Sequence, residues 1–289
     1  MKIYINGKFF DQNNAKVSVF DHGFLYGDGA FEGIRCYGSL VFKLSEHIDR
    51  LYETTHTLMI EAPLTKKEMG QAIVDTLKIN KLKDAYIRVI VTRGEGDLGL
   101  DPRKCRGRAS IIIITDKIRL YPPELYKKGM EIITVPTVRN HPEALNPQLK
   151  SLNYLNNILA KIEANNSGYA EAIMLDGSGY VAECTGDNIF LVKEGVLLTT
   201  CQGRLRGITR QTVLDIARQK KISAKETFIT RHEVYNADEC FLTGTAAELI
   251  PVVKVDGRAI GNGKPGSITL KLMKSFHDVT RREGTKYSL

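Results

Sequence analysis

The sequence predicts an α+β protein of two domains, and three observations carry that prediction. Strand-like and helix-like segments alternate without a regular βαβ rhythm, which argues against a doubly wound parallel sheet. A stretch over 116–130, with Pro122-Pro123 and weak hydrophobic periodicity, reads as a break between two better-patterned regions. The chain has 289 residues, 43% hydrophobic and 26% charged, which is ample core for one large or two medium domains and unlike a disordered composition. The expected division is a smaller N-terminal α/β domain over 1–115, an interdomain loop over 116–130 and a larger α+β domain over 131–289.

Strands are expected first at 2–5 and 17–20, each followed by turn-formers. A strand, a Gly-Ser turn and a second strand fit 30–37 and 40–44. Ser45 is placed to cap a helix to about residue 60, with Ile48, Leu51 and Leu58 among its apolar positions. Thr65 precedes another helix to about residue 79, where Met69, Ile73 and Leu77 fall at helical spacing. Strands at 85–92 and 109–115 flank the glycine-rich GEGDLGLDP. After the loop come a strand at 131–136, a segment rich in Pro and Asn, Lys150, and a helix from Ser151 to about residue 165. Two hairpins follow, 171–175 with 180–184 and 188–193 with 196–199, and then a helix over 208–220. Strands near 239–242 and 250–255 and a C-terminal helix complete the chain.

The 41 basic and 33 acidic side chains leave a formal charge of +8. They are spread along the chain, with no dense Lys/Arg block interleaved with aromatics, so nucleic acid is not an expected partner. A mild preference for anions suits a phosphate-bearing cofactor or carboxylate substrates. The longest obvious apolar run, Ile111 to Ile114, is far short of the ~18 residues of a membrane span. MKIYINGKFF is broken by Asn6, Gly7 and Lys8 and lacks a signal-like apolar stretch, so a cytoplasmic protein is expected. Cys36, Cys105, Cys184, Cys201 and Cys240 form no C-x-x-C pair and the six histidines no metal spacing, so neither a disulfide framework nor a metal site is expected.

Lys150, in NPQLKSLNYL, is flanked by Leu149 and Leu152. An amine in an apolar pocket loses solvation of its charged form and becomes a nucleophile, although a surface lysine at a helix start fits the same pattern. Glu183 in ECTGDNIF ends a strand before a turn-rich stretch and faces either a polar site or solvent. Gly207-Ile208-Thr209 opens a helix, where free N–H groups make an anion site unless Thr209 simply caps the turn. Gly244-Thr245-Ala246-Ala247 presents backbone N–H groups or packs tightly. Arg50, in HIDRL, is a fixed guanidinium for a phosphate or an exposed helix arginine. No dinucleotide G-x-G-x-x-G stands between strand and helix, and neither a P-loop nor a G-x-S-x-G occurs. A lysine, a distant carboxylate and two anion-binding turns are the set that pyridoxal 5′-phosphate requires.

ECTGDNIF (183–190) with LRGITR (205–210) resembles the motif of the class IV, or fold-type IV, pyridoxal-phosphate aminotransferases, and KSLNYLNN from Lys150 resembles their cofactor-lysine segment. The likeness runs from VSVFDHGFLYGDGAFEGIR (17–35) to TGTAAELIPV (243–252), nearly the whole chain. Within the family, YGDGAFEGIRCY (26–37), AYIR (85–88) and GTAAE (244–248) are most similar to branched-chain amino-acid aminotransferases. The resemblance implies reversible transamination between a branched-chain L-amino acid and 2-oxoglutarate, with Lys150 in Schiff-base linkage to pyridoxal 5′-phosphate and acting as catalytic base. It implies that Glu183 bonds the pyridine nitrogen, that Tyr154 bonds the 3′ oxygen, and that Arg50, Gly207, Ile208, Thr209 and Thr245 hold the phosphate. It also implies a substrate pocket of Tyr26, Phe31, Gly33, Arg35, Tyr86 and Arg88, with N–H groups of Thr245, Ala246 and Ala247 for the substrate carboxylate. Amino acids and 2-oxo acids are the expected small-molecule partners. A homodimer or larger homo-oligomer is implied too, with the loop about 97–100 reaching the neighbouring site. The alternatives on the same fold are a D-amino-acid aminotransferase, an aromatic or amine transaminase and an aminodeoxychorismate lyase. Against the first, Thr245-Ala246-Ala247 stands where a Thr-Thr-Ser type turn is more usual, and Thr92-Arg93-Gly94 has no histidine close by. One departure is the segment between Thr200 and Leu205, only four residues, shorter than the family pattern and followed by Arg206. It bears on substrate range, while Gly207-Ile208-Thr209 retains the cofactor motif.

Overall fold

Asn6 and Gly7 take positive φ of 48° and 88°, the conformation of a two-residue type I′ turn, and fold β1 (Lys2–Ile5) onto β2 (Lys8–Asp11) with Ile5 opposite Lys8. The computed structural model describes residues 1–105, 107–117 and 121–289. They divide into two units: Met1–Ile118 with Leu149–Asn153 and Thr280–Leu289, and Arg119–Gln148 with Tyr154–Val279. The division is therefore not the consecutive one expected, because two later segments cluster with the N-terminal region.

In the first unit, α1 (His22–Tyr26) is capped by the Asp21 carboxylate, which accepts from Gly23 N–H. Then follow β3 (Gly29–Tyr37), β4 (Leu40–Val41), α2 (Leu44–Thr57), α3 (Lys66–Ile79), β5 (Ala85–Thr92) and β6 (Ser110–Asp116). Among the described residues they form a seven-stranded antiparallel sheet in the order Thr285–Lys286, β4, β3, β5, β6, β1, β2. Ala85, Ile87, Val89 and Val91 alternate inward along β5 and share a core with Ile34, Leu51, Ile73 and Leu77. The expected strand at 17–20 is absent: Val17, Val19 and Phe20 are 51%, 65% and 50% exposed and pair with no strand, while β2 takes the place beside β1. Helix α2 starts after Lys43, in the left-handed region at φ 50°, rather than on a Ser45 cap. Thr65 does cap α3, in a capping box with Glu68.

The second unit holds α4 (Pro123–Lys128), β7 (Met130–Thr134), α5 (Leu155–Asn166), β8 (Ala172–Leu175), β9 (Val181–Cys184), β10 (Asn188–Lys193), β11 (Val196–Thr200), α6 (Ile208–Gln219), β12 (Ala224–Thr227), α7 (Arg231–Tyr235), β13 (Glu239–Gly244) and β14 (Glu248–Val255). The short β15 (Arg258–Ala259) and helix α8 (Ser267–Thr280) follow. Its sheet runs β12, β11, β10, β13, β14, β7, β8, β9, with β15 on β14. The pairs β11/β12, β14/β7 and β7/β8 are parallel. The segment expected as an interdomain loop is only partly irregular. Asp116 ends β6, Pro123 opens a helix by supplying the fixed φ of a first turn, Tyr121 is buried and Met130 starts β7, while 118–120 lie outside the described residues. The helix expected from Ser151 begins at Leu155, because Ser151 is drawn into a bridge with Ala30 instead. Among the described residues no helix is long and apolar enough to cross a membrane.

The rings of Phe190 and Phe241, opposite each other in the β10–β13 register, stack at 5.0 Å and 2° with both side chains fully buried. Phe241→Ala is expected to cost about 3–5 kcal/mol, read as a lower denaturant midpoint with unchanged slope.

Candidate active site

In the first unit the site grows from strand register. Gly33 lies opposite Arg88, Phe31 opposite Ile90 and Arg35 opposite Tyr86, so Phe31, Gly33, Arg35, Tyr86 and Arg88 share one face of the sheet. The Arg88 guanidinium stands 4.5 Å from the Phe31 ring centroid and 5.5 Å from that of Tyr86, and donates to the Tyr86 hydroxyl at 3.0 Å. A Cβ on Gly33 would stand 2.1 Å from that hydroxyl, which explains the glycine. Lys150 is brought to this face by peptide pairing: Phe31 N–H donates to Lys150 C=O at 2.9 Å and Leu152 N–H to Gly29 C=O at 2.9 Å. Its amine lies 4.6 Å from the Phe31 ring centroid.

The opposite face of β3 carries Glu32, fully buried against α2. Arg50 donates Nε–H and Nη2–H to its two carboxylate oxygens at 2.7 and 2.9 Å, and His47 Nδ1 lies 2.7 Å from Oε2. Burial alone would raise this carboxyl, but Arg50 and then His47 overcome it and hold it well below the usual carboxylate range. Burial lowers His47. Thr54 ties this group to Lys150, accepting its backbone N–H at 3.4 Å and donating to Arg50 C=O at 3.0 Å. Tyr26, on α1, donates to Leu98 C=O, and His22 Nε2 lies 2.9 Å from Asp97 C=O, so the loop about 97–100 is tethered to α1 while Leu98 and Leu100 stay exposed.

In the second unit Glu183, on β9, is buried and held by three donors: Arg139 Nε–H at 2.9 Å, Asn188 Nδ2–H at 3.2 Å and Leu205 N–H at 3.1 Å. Arg139 is fixed in turn by Asn140 and by Asn156, two residues beyond Tyr154, which stands at the start of α5. Asn188 also donates to Leu205 C=O at 3.1 Å, and a Cβ on Gly207 would stand 2.0 Å from its Oδ1. One amide thus joins the Glu183 carboxylate to the start of α6. That helix opens at Gly207 without a side-chain cap, so the N–H groups about Ile208 and Thr209 point at an anion position. The short segment before it is pulled tight: Arg204 and Arg210 both donate to Glu226 Oε2 at 2.6 Å and both reach Thr200 C=O. Thr245, Ala246 and Ala247 form the turn between β13 and β14, with Tyr126 donating to Ala247 C=O at 3.0 Å. Thr243, opposite Asn188, has a buried hydroxyl without a partner among the described residues.

The named residues therefore fall into two clusters, one in each unit, with Lys150, Arg50 and the aromatic–arginine face in the first and Glu183, Tyr154, the α6 start and the Thr245 turn in the second. Motif reading passed over Glu32, His47, Thr54 and Arg139 and left Asn188 without a role. The signal for Glu32 and Asn188 was present, since both stand inside the quoted motifs. An amine, a pinned buried carboxylate, an uncapped helix start and an unpartnered buried hydroxyl fit a phosphorylated pyridine cofactor.

The family model for class IV amino-transferases matches residues 29–255. A Methanocaldococcus jannaschii protein, provisionally assigned as a branched-chain-amino-acid aminotransferase, is 54% identical over 99% of both chains. The crystal structure of Escherichia coli branched-chain amino acid aminotransferase superposes with a TM-score of 0.94 at 33% identity, over 99% of this chain and 97% of that one. The branched-chain amino acid aminotransferase from Thermoproteus uzoniensis with norvaline does so at 0.90 and 38%, over 98% and 96%. A further branched-chain amino acid aminotransferase, from T.th. and crystallised with pyridoxamine 5′-phosphate, does so at 0.93 and 36%, over 98% and 95%.

Glu32→Ala leaves the Arg50 charge buried without its carboxylate and is expected to cost about 3–5 kcal/mol in chemical denaturation. The folded carboxyl lies below its ordinary 4.5, so the contribution is complete above that value and is lost as pH falls beneath it. Wild type is expected to lose more stability on acidification than Glu32→Ala does.

Proposed function

The chain belongs to the class IV amino-transferase family, and from that premise we propose reversible transamination between a branched-chain L-amino acid (leucine, isoleucine or valine) and 2-oxoglutarate, with pyridoxal 5′-phosphate as cofactor. The observation that carries the reading is the Glu183 carboxylate, buried, fixed by three donors and joined through Asn188 to the uncapped start of α6. When bound, the cofactor supplies an electron-withdrawing ring that stabilises negative charge at the substrate Cα.

Lys150 would hold the cofactor through its amine and would serve as general base toward the substrate Cα proton. Its anchoring to β3 through the Phe31 and Leu152 peptides keeps the amine over the Phe31 ring. Glu183 keeps a proton on the pyridine nitrogen, and Arg139 prevents the carboxylate from turning away. Tyr154 holds the 3′ oxygen. Arg50, Gly207, Ile208, Thr209 and Thr245 hold the phosphate, with the Arg50 fork already oriented by Glu32. N–H groups of Thr245, Ala246 and Ala247 receive the substrate carboxylate. Phe31 and Tyr86 offer apolar surface to a branched side chain, and Arg35 and Arg88 on the same face offer cations to a γ-carboxylate; Tyr26 lies at the same pocket.

The face of α5 bearing Leu155, Ile158, Leu159 and Ile162 is apolar yet 66%, 51%, 48% and 47% exposed, which supports a homodimer or larger homo-oligomer. The five unpaired thiols suit a cytoplasmic setting.

The absorbance spectrum of the purified protein tests the reading. A cofactor band that is lost on adding L-leucine and kept on adding D-alanine is expected, and Lys150→Ala is expected to lack the wild-type band. Loss with D-alanine alone would move the substrate to the D-series. Glu183→Ala is expected to lower kcat by about 10²-fold or more in a coupled assay. Light scattering is expected to report a dimer or larger, shifted towards monomer by Ile158→Glu with Ile162→Glu.

A further inference from the structure

Below the Gly244 turn two acids and one phenol share too few protons. Glu171 Oε1 accepts from Ala172 N–H at 2.9 Å, from Thr185 N–H at 2.8 Å and from the Thr185 hydroxyl. Its Oε2 faces Lys161 Nζ at 3.4 Å and the Tyr121 hydroxyl at 3.2 Å. That is the donor set of an ionised carboxylate. The same Tyr121 hydroxyl lies 3.4 Å from Asp187 Oδ2. A phenol has one proton and cannot donate to both acids. If it serves Glu171, the shorter contact, its oxygen faces Asp187 as an acceptor, and an acceptor there requires a proton on Asp187.

The surroundings agree. Asp187 is 5% exposed, and the groups around it are Glu171 before β8, Glu183 and Cys184 on β9, Tyr121 before α4, and Lys161 on α5 as the cation. Burial, and then the Glu171 charge, push its carboxyl up to about 8. Its other oxygen meets the turn: a Cβ on Gly244 would stand 2.0 Å from Asp187 Oδ1, so residue 244 is glycine because the acid fills that space.

We infer that Asp187 is a positioning residue working as a neutral acid, donating its proton to Tyr121, which donates to Glu171, so that the turn of Thr245 and Ala246 rests on an uncharged carboxyl. The role rests on the reading of that turn as the substrate-carboxylate site. An ionised Asp187 would oppose the incoming anion and add a second negative charge beside Glu183.

Infrared spectra of the holoenzyme between about pH 6 and about pH 10 test the proton directly. A protonated-carboxyl band that fades with a midpoint near 8 and is missing from Asp187→Asn is expected. Its absence from wild type overturns the inference whether or not the variant folds. The steady-state KM for 4-methyl-2-oxopentanoate tests the role. It is expected to rise about tenfold in wild type as pH passes from about 7 to about 9.5, with a smaller change in kcat, and to rise far less in Asp187→Asn. Equal rises in both proteins overturn the role at the turn. A protein that shows the band but transaminates neither L- nor D-amino acids refutes the proposed function and leaves the Asp187 proton standing.

Discussion

The pairing of residues 150–152 with the first residues of β3 is the constraint on which the rest of the first unit depends. Phe31 donates to Lys150, Leu152 donates to Gly29, and Ala30 bridges Ser151. Gly29 permits the approach, since a Cβ there would stand 2.6 Å from Val91 C=O and 2.7 Å from a Leu152 methyl. These bonds use the backbone, so the Lys150 side chain takes no part in them. The same strand sends Phe31, Gly33 and Arg35 to the aromatic–arginine face and Glu32 to the helix side, so one alternation separates that face from the buried carboxylate.

Charge matching then explains the polar groups that the cores tolerate. Glu32 is fully buried, and such a carboxylate persists only where cations and hydrogen bonds replace water. Arg50 and His47 supply them, and the cost of burial is offset by a guanidinium locked in one orientation. The second unit repeats the device at Glu183, where one arginine and two neutral donors hold a carboxylate without surrounding it with cations. At Asp187 the neighbouring cation, Lys161, faces Glu171 instead, and the balance passes to a retained proton.

The four-residue segment between Thr200 and Leu205 is held firmly against the helix behind it. Arg204 and Arg210 converge on Glu226 and on Thr200 C=O, so the four residues are pulled tight by side chains that are themselves buried. Burial, and then the like charge of Arg204, pull Arg210 below its usual value, and Glu226 is the carboxylate that keeps both guanidinium groups paired. Asn188, held by Glu183 and Leu205, fixes the other side of the same helix start.

Local patterning determined much of this protein. Met69, Ile73 and Leu77 at helical spacing after Thr65 announced α3, the segment 85–92 read as the strand that is β5, and the strings about Lys150, Glu183 and Gly207 pointed to the cofactor class. Those features are read from neighbours in sequence, where caps, periodicity and motif spacing act. Other features were settled only by tertiary contact. The apolar residues at 17–20 look like a strand but found no partner, whereas the Asn6-Gly7 turn gave β1 its neighbour in β2. Ser151 looks like a helix start but was taken by a bridge to Ala30, more than a hundred positions away. Glu32, Asn188 and Asp187 stand in plain view in the motifs, yet their roles depend on Arg50, Gly207 and Tyr121, which no local pattern places beside them. The physical reason is range: propensity acts over a few residues, while burial, register and shared protons are decided by whatever the folded chain brings within a few ångströms.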